Sequence, residues 1–105
     1  MTFTLFHNKN CSKSRVCLDI LKKHKIDFQL REYIKDPLTL SEITDILKKL
    51  SGEKSTLLRK QTKELDFNDL ITYVYENQND LQRPIFFDGK KYTICRPPER
   101  VLDCI

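Results

Sequence analysis

Glycine and proline are scarce in this chain, at two and four residues of 105. That argues against low-complexity or disordered stretches. No apolar run approaches the roughly 20 residues that a membrane-spanning helix needs. The opening segment, Met1-Thr2-Phe3-Thr4-Leu5-Phe6, is short and lacks the charged n-region of a signal peptide. These absences point to one soluble globular domain over residues 1–105, in the cytoplasm and without a membrane partner.

A Cys-x-x-Cys pair is also missing. The four cysteines stand at 11, 17, 95 and 104, and no two are separated by two residues. Neither a zinc knuckle nor a dithiol redox motif can form, so no metal and no bound cofactor are expected. Two disulfides are allowed by count, but a cytosolic chain that is 39% hydrophobic has the apolar residues to fold without them. Reduced thiols are the better starting point. The net charge of +4 suits a small anionic substrate. Nucleic-acid binding is disfavoured, because no arginine–aromatic stripe accompanies the charge. Much of it reads as a solvated lysine surface, as in Lys22-Lys23-His24-Lys25.

Patterning predicts a first strand over Phe3–Phe6, then a polar turn through Cys11. A helix follows from Ser12 to about His24, with Val16, Leu18, Ile20 and Leu21 on its buried face. Phe28–Tyr33 alternates as a half-buried strand. Ser41 opens a second helix carrying Ile43, Ile46, Leu47 and Leu50, with Ser51-Gly52 as its stop. A basic stretch with Arg59 leads to a third helix from about Asn68 to Asn77. Pro84–Phe87 and Tyr92–Cys95 read as strands joined by a tight Asp88-Gly89 turn. Pro97-Pro98 opens a last helix, with Val101, Leu102 and Ile105 available to pack inward. The order is βαβ, a helical insertion over about residues 38–80, then ββα. That is an α/β thioredoxin-like fold with a mixed sheet.

Cys11 lies between a strand and a helix. Free backbone N–H groups and the helix dipole there favour a thiolate and hold an oxyanion beside it. Its neighbours are polar on both sides, Asn8-Lys9-Asn10 and Ser12-Lys13-Ser14-Arg15, unlike those of Cys17 between Val16 and Leu18. Cys11 therefore reads as reactive and Cys17 as packing; Cys17 also lies roughly 240° around the helix from it. The Ser12 and Ser14 hydroxyls add donors. His7 fits two descriptions, an electrostatic neighbour of the thiol or an ordinary strand-end histidine.

Arg59, Arg83 and Arg96 sit at structural transitions. Guanidinium groups grip tetrahedral oxyanions through several directed N–H bonds. Arg83-Pro84 is the most specific of the three, as a proline opening a strand across from a helix-mouth cysteine. The run His7-Asn8-Lys9-Asn10-Cys11-Ser12-Lys13-Ser14-Arg15 resembles the active-site segment of the glutaredoxin-dependent arsenate reductases. Leu58-Arg59-Lys60, Arg83-Pro84-Ile85 and Cys95-Arg96-Pro97-Pro98-Glu99-Arg100-Val101-Leu102 are similar to later motifs of that family, in the same order.

The resemblance implies that Cys11 is the catalytic nucleophile and that Arg59, Arg83 and Arg96 bind the oxyanion. It implies supporting roles for His7, for Ser14 in stabilising the thiolate, and for Pro84 at the family's cis-proline position. Arsenate is the implied substrate, glutathione the external reductant and glutaredoxin the protein partner. Lys9 replaces the family's usual proline, and the stretch between Arg59 and Arg83 reads as short. Two rival readings share the fold. One is a redox-linked regulator or interaction module that binds RNA polymerase. Many such relatives carry Cys-x-x-Cys at the helix start, where this chain has Ser14. The other is a general glutathione-linked thiol transferase.

Overall fold

The computed structural model describes residues 2–60 and 65–105. Met1 of the opening segment, and residues 61–64 within the stretch that reads as short, lie outside the described residues. Strand β1 (Phe3–His7) leads through a four-residue loop to helix α1 (Ser12–Lys23), which returns to strand β2 (Phe28–Glu32). β1 and β2 are parallel, in register from Phe3↔Phe28 to His7↔Glu32. Their carboxyl ends share one edge of the sheet, and Cys11 stands there. Strands β3 (Ile85–Phe87) and β4 (Tyr92–Ile94) add antiparallel, giving the order β2-β1-β3-β4. This is the thioredoxin-like α/β fold with a mixed sheet that the element order predicts. Between β2 and β3 come helix α2 (Leu40–Lys49), a 3-10 turn at Lys54–Leu57, helix α3 (Phe67–Glu76) and a second 3-10 turn at Gln78–Asp80.

Strand alternation divides the core. Leu5 and Phe86 join Cys17, Leu21, Cys95 and Val101 in one buried cluster. Their strand neighbours Phe6 and Ile85 join Tyr33, Ile43, Ile46 and Val74 in the other. Successive residues of β1 and β3 thus feed opposite faces. Each fully buried large apolar side chain contributes roughly 1.5–3 kcal/mol. None of the described helices is long and apolar enough to cross a membrane.

Several boundaries differ from the sequence reading, each for a local reason. Helix α2 opens at Leu40, not Ser41, because Thr39 and Glu42 form a capping box. The Thr39 hydroxyl oxygen accepts from the Glu42 N–H at 3.1 Å, and Glu42 Oε1 accepts from the Thr39 N–H at 2.9 Å. The same carboxylate receives two Arg31 N–H groups at 2.7 and 3.0 Å, which ties α2 to β2. Leu50 has left the helix for an extended conformation and bridges to Tyr92. Helix α3 starts at Phe67, capped by Asp66, whose carboxylate accepts from the Asp69 N–H at 2.8 Å.

On α1 the buried stripe is Ser14, Cys17 and Leu21, and Val16 is exposed. The last helix is a 3-10 helix (Pro98–Asp103), whose three-residue period stacks Pro98 and Val101 inward. Leu102 and Ile105 face out, contrary to expectation.

Candidate active site

Cys11 is the N-cap residue of α1, with extended backbone (φ −100°, ψ 121°). Its N–H donates to the Asn8 carbonyl at 3.0 Å, and its own carbonyl receives the Arg15 N–H at 3.0 Å. The intervening loop is held from both ends. Asn8 Oδ1 accepts from the Asn10 N–H at 3.0 Å, and Arg15 Nη1 donates to the Lys9 carbonyl at 2.9 Å. No acidic residue stands in the first turn of α1 to oppose an anion.

The sulfur makes no fully formed cap hydrogen bond. Nonetheless its pKa lies below the ordinary thiol value. Burial alone would raise it, but the Ser14 backbone N–H, the nearby Arg83 guanidinium and the Lys13 backbone N–H together outweigh burial. Arg96 adds a donor, its Nη1 4.0 Å from the sulfur and 2.9 Å from the Arg83 carbonyl oxygen. The Arg83-Pro84 peptide bond is cis, as is Arg96-Pro97. Arg96 also lines an open cavity of about 330 Å³ with Gln82, Ile94, Arg100 and the Ser51–Glu53 turn.

Arg59 is a different case. Its side chain is exposed, and its backbone N–H donates to the Asp80 carbonyl at 2.7 Å beside the Leu58↔Leu81 bridge. Among the described residues, no hydrogen bond joins its side chain to Cys11. The structure therefore brings Arg83 and Arg96 to the sulfur and shows no hydrogen bond from Arg59 to it among the described residues.

The supporting pair also differs in detail from expectation. Ser14 is fully buried, and its hydroxyl oxygen accepts from the Asn8 N–H at 3.1 Å while lying 2.6 Å from His7 Nδ1. That hydroxyl holds the loop. It is the backbone N–H of Ser14 that favours the thiolate. His7 is 3% exposed, and burial is the first cause that holds its pKa below 6.5, so it is neutral at pH 7. Of the two descriptions left open for His7, the buried hydrogen-bonded histidine is the one observed.

Two residues escaped the sequence reading. Asn8 organises the loop, and Tyr33, the first residue past β2, stands near it at the end of the His7↔Glu32 pairing. Tyr33 passes for an ordinary strand residue, and only the parallel register carries it to the cysteine's edge of the sheet. The remaining thiols lie apart, with Cys17 and Cys95 buried in the other cluster and Cys104 packed against it. The Cys95 thiol is pushed well above its ordinary value by Cys17 beside it and by burial. All four thiols are free.

Comparison with known proteins adds to this geometry. The chain is 29% identical to an arsenate reductase of Haemophilus influenzae, over the whole of both chains. It is 31% identical to the global transcriptional regulator Spx of Streptococcus pyogenes, over 87% of this chain and 75% of that one. The solved arsenate reductase from Vibrio cholerae superposes with a TM-score of 0.88 at 25% identity, covering 100% of this chain and 98% of the other. The ArsC family model matches residues 6–104, which span the loop, both arginines at the sulfur and the last helix: this chain belongs to the ArsC family and is arsenate reductase-like.

Proposed function

We propose that this protein is an arsenate reductase that works through one nucleophilic cysteine, coupled to glutathione and glutaredoxin in the cytoplasm. The observation that carries this reading is the Cys11 sulfur at the mouth of α1, its thiolate favoured by backbone amides and Arg83, with Arg96 Nη1 4.0 Å away. Nucleophile and anion-binding donors occupy one place, which an oxyanion substrate requires.

In the first step the Cys11 thiolate attacks arsenic, an S–As bond forms, and an arsenate oxygen leaves as water after taking up a proton. Arg83 and Arg96 hold the remaining charged oxygens, with Arg59 able to join them once substrate is bound. Glutathione thiol then attacks the Cys11 sulfur. The S–As bond breaks with its electron pair going to arsenic, and the released proton ends on the departing arsenite. Arsenic gains two electrons as the two thiols become a Cys11–glutathione mixed disulfide. A glutaredoxin thiol cleaves that disulfide by exchange and restores Cys11. Pro84 lies between the two arginine-bearing segments, and His7 and Ser14 hold the loop.

A coupled assay with arsenate, glutathione and glutaredoxin tests this. Turnover is expected for the native chain and none for Cys11→Ser; full activity in that variant rules the mechanism out. The similarity to a transcriptional regulator favours a second reading, an interaction module that binds RNA polymerase. Position 14 is a buried, hydrogen-bonded serine, so a disulfide with Cys11 is unavailable there. Capture of polymerase subunits together with no arsenate turnover would favour the module. Faster turnover on a glutathionylated disulfide than on arsenate would favour a general thiol transferase.

A further inference from the structure

Two buried donors beside Cys11 have no hydrogen-bond partner among the described residues: the Tyr33 hydroxyl and the Arg83 Nε. Tyr33 is 1% exposed, with its ring in the cluster that holds Phe6, Leu38 and Ile85. A phenol buried this deeply ordinarily finds an acceptor, and an unmet one calls for an explanation. Tyr92, the other buried tyrosine, conforms, because its hydroxyl donates to the Asp45 carboxylate at 2.6 Å.

The sheet accounts for where Tyr33 stands. The β1–β2 register ends at His7↔Glu32, so the next residues, Asn8 and Tyr33, leave the two strands at the same carboxyl edge. Asn8 begins the loop to Cys11 and has its Oδ1 engaged by the Asn10 N–H. Arg83, at the entrance to β3, has its Nη1 committed to the Asn79 and Leu81 carbonyls at 2.8 and 3.2 Å, which leaves Nε over. The groups sense one another. Burial raises the Tyr33 pKa most; the Arg83 charge and the approach of the Asn8 and Arg83 side chains, neither of which forms a hydrogen bond with the phenol, lower it; and Cys11 raises it, with a net upward shift. The phenol therefore keeps its proton at neutral pH and stands as a donor. Two donors without an acceptor between them suit a negatively charged oxygen.

We propose that the Tyr33 hydroxyl and the Arg83 Nε form a paired donor site for one oxygen of a tetrahedral oxyanion held at Cys11, which makes Tyr33 a substrate-binding residue. This rests on the oxyanion reading of Cys11. It adds a neutral donor to the arginines and gives the bound anion a fixed orientation toward the sulfur.

The test follows alkylation of Cys11 by iodoacetamide over a series of arsenate concentrations, in the native chain and in Tyr33→Phe. That substitution keeps the ring in the core and removes only the hydroxyl. Arsenate is expected to protect Cys11 in the native chain, and half-protection in Tyr33→Phe is expected to need about tenfold more arsenate. Equal protection in the two proteins overturns the proposal and leaves the oxyanion reading standing. Absence of protection in the native chain overturns both. Tyrosine 13Cζ resonances provide a check that needs no folded Tyr33 variant, with Tyr33 assigned by elimination using Phe substitutions at Tyr73, Tyr75 and Tyr92. The Tyr33 resonance is expected to move on arsenate addition. A Tyr33 resonance that stays fixed while Cys11 is being protected overturns the proposal.

Discussion

Arg96 reaches Cys11 through a nitrogen that Arg83 also holds: its Nη1 is 4.0 Å from the sulfur and donates to the Arg83 carbonyl oxygen at 2.9 Å. The two arginines are thus coupled in position and separable in effect. Arg83 favours the thiolate through its nearby positive guanidinium, whereas Arg96 is not among the principal influences on the thiol. Arg83→Ala should raise the Cys11 pKa, and should raise it by more than Arg96→Ala does. Arg96→Ala should mainly raise the KM for arsenate. The pH dependence of Cys11 alkylation in both variants, set beside their kcat and KM, checks the division.

Ser14→Ala separates the hydroxyl of Ser14 from its amide. Removing the hydroxyl strands a buried Asn8 N–H and the His7 ring, at a cost of about 1–3 kcal/mol by urea unfolding. The backbone N–H that favours the thiolate remains, so the pKa of Cys11 should stay within a few tenths of its native value. A large rise in that pKa would mean that the hydroxyl acts on the sulfur directly.

His7 gives stability a pH dependence of known sign. Burial is the first cause lowering its pKa below 6.5, with Arg15 and Lys22 also lowering it and Glu32 opposing. The folded chain resists protonation there while the unfolded chain accepts it near 6.5. His7 therefore contributes stability above pH 6.5 that is lost as pH falls toward its folded value. The slope from this group is at most about 1.4 kcal/mol per pH unit. Urea midpoints across this range should fall on acidification, and His7→Gln should flatten the curve.

Element order and the helix-mouth cysteine were legible because they rest on local signals. The β-branched and aromatic Phe3–Phe6, the polar loop to Cys11 and the Asp88-Gly89 turn each announce themselves within a few residues. In that turn the Asp88 carboxylate accepts from the Lys90 and Lys91 N–H groups at 2.8 Å each, and Gly89 takes φ +98°. What was not legible depends on partners distant in sequence. Leu102 and Val16 have the composition of core residues, but the 3-10 period turns Leu102 outward and the Ser14–Cys17–Leu21 stripe of α1 leaves Val16 outside. Tyr33 reaches the cysteine's edge only because the β1–β2 pairing ends just before it, and the Arg59 backbone N–H is tied to the Asp80 carbonyl beside the Leu58↔Leu81 bridge, a pairing that no spacing foretells. Thr39 was legible in principle, because Thr-x-x-Glu is a capping box in any helix.

Peptide-resolved mass spectrometry of thiol alkylation against pH, on the unmodified chain, bears most directly on the sulfur at the mouth of α1. Cys11 is expected to react with a midpoint below the free-thiol value of about 8.5 and to outpace the buried Cys17 and Cys95 at neutral pH. A midpoint at or above that value would contradict the ionised nucleophile on which the proposed chemistry depends.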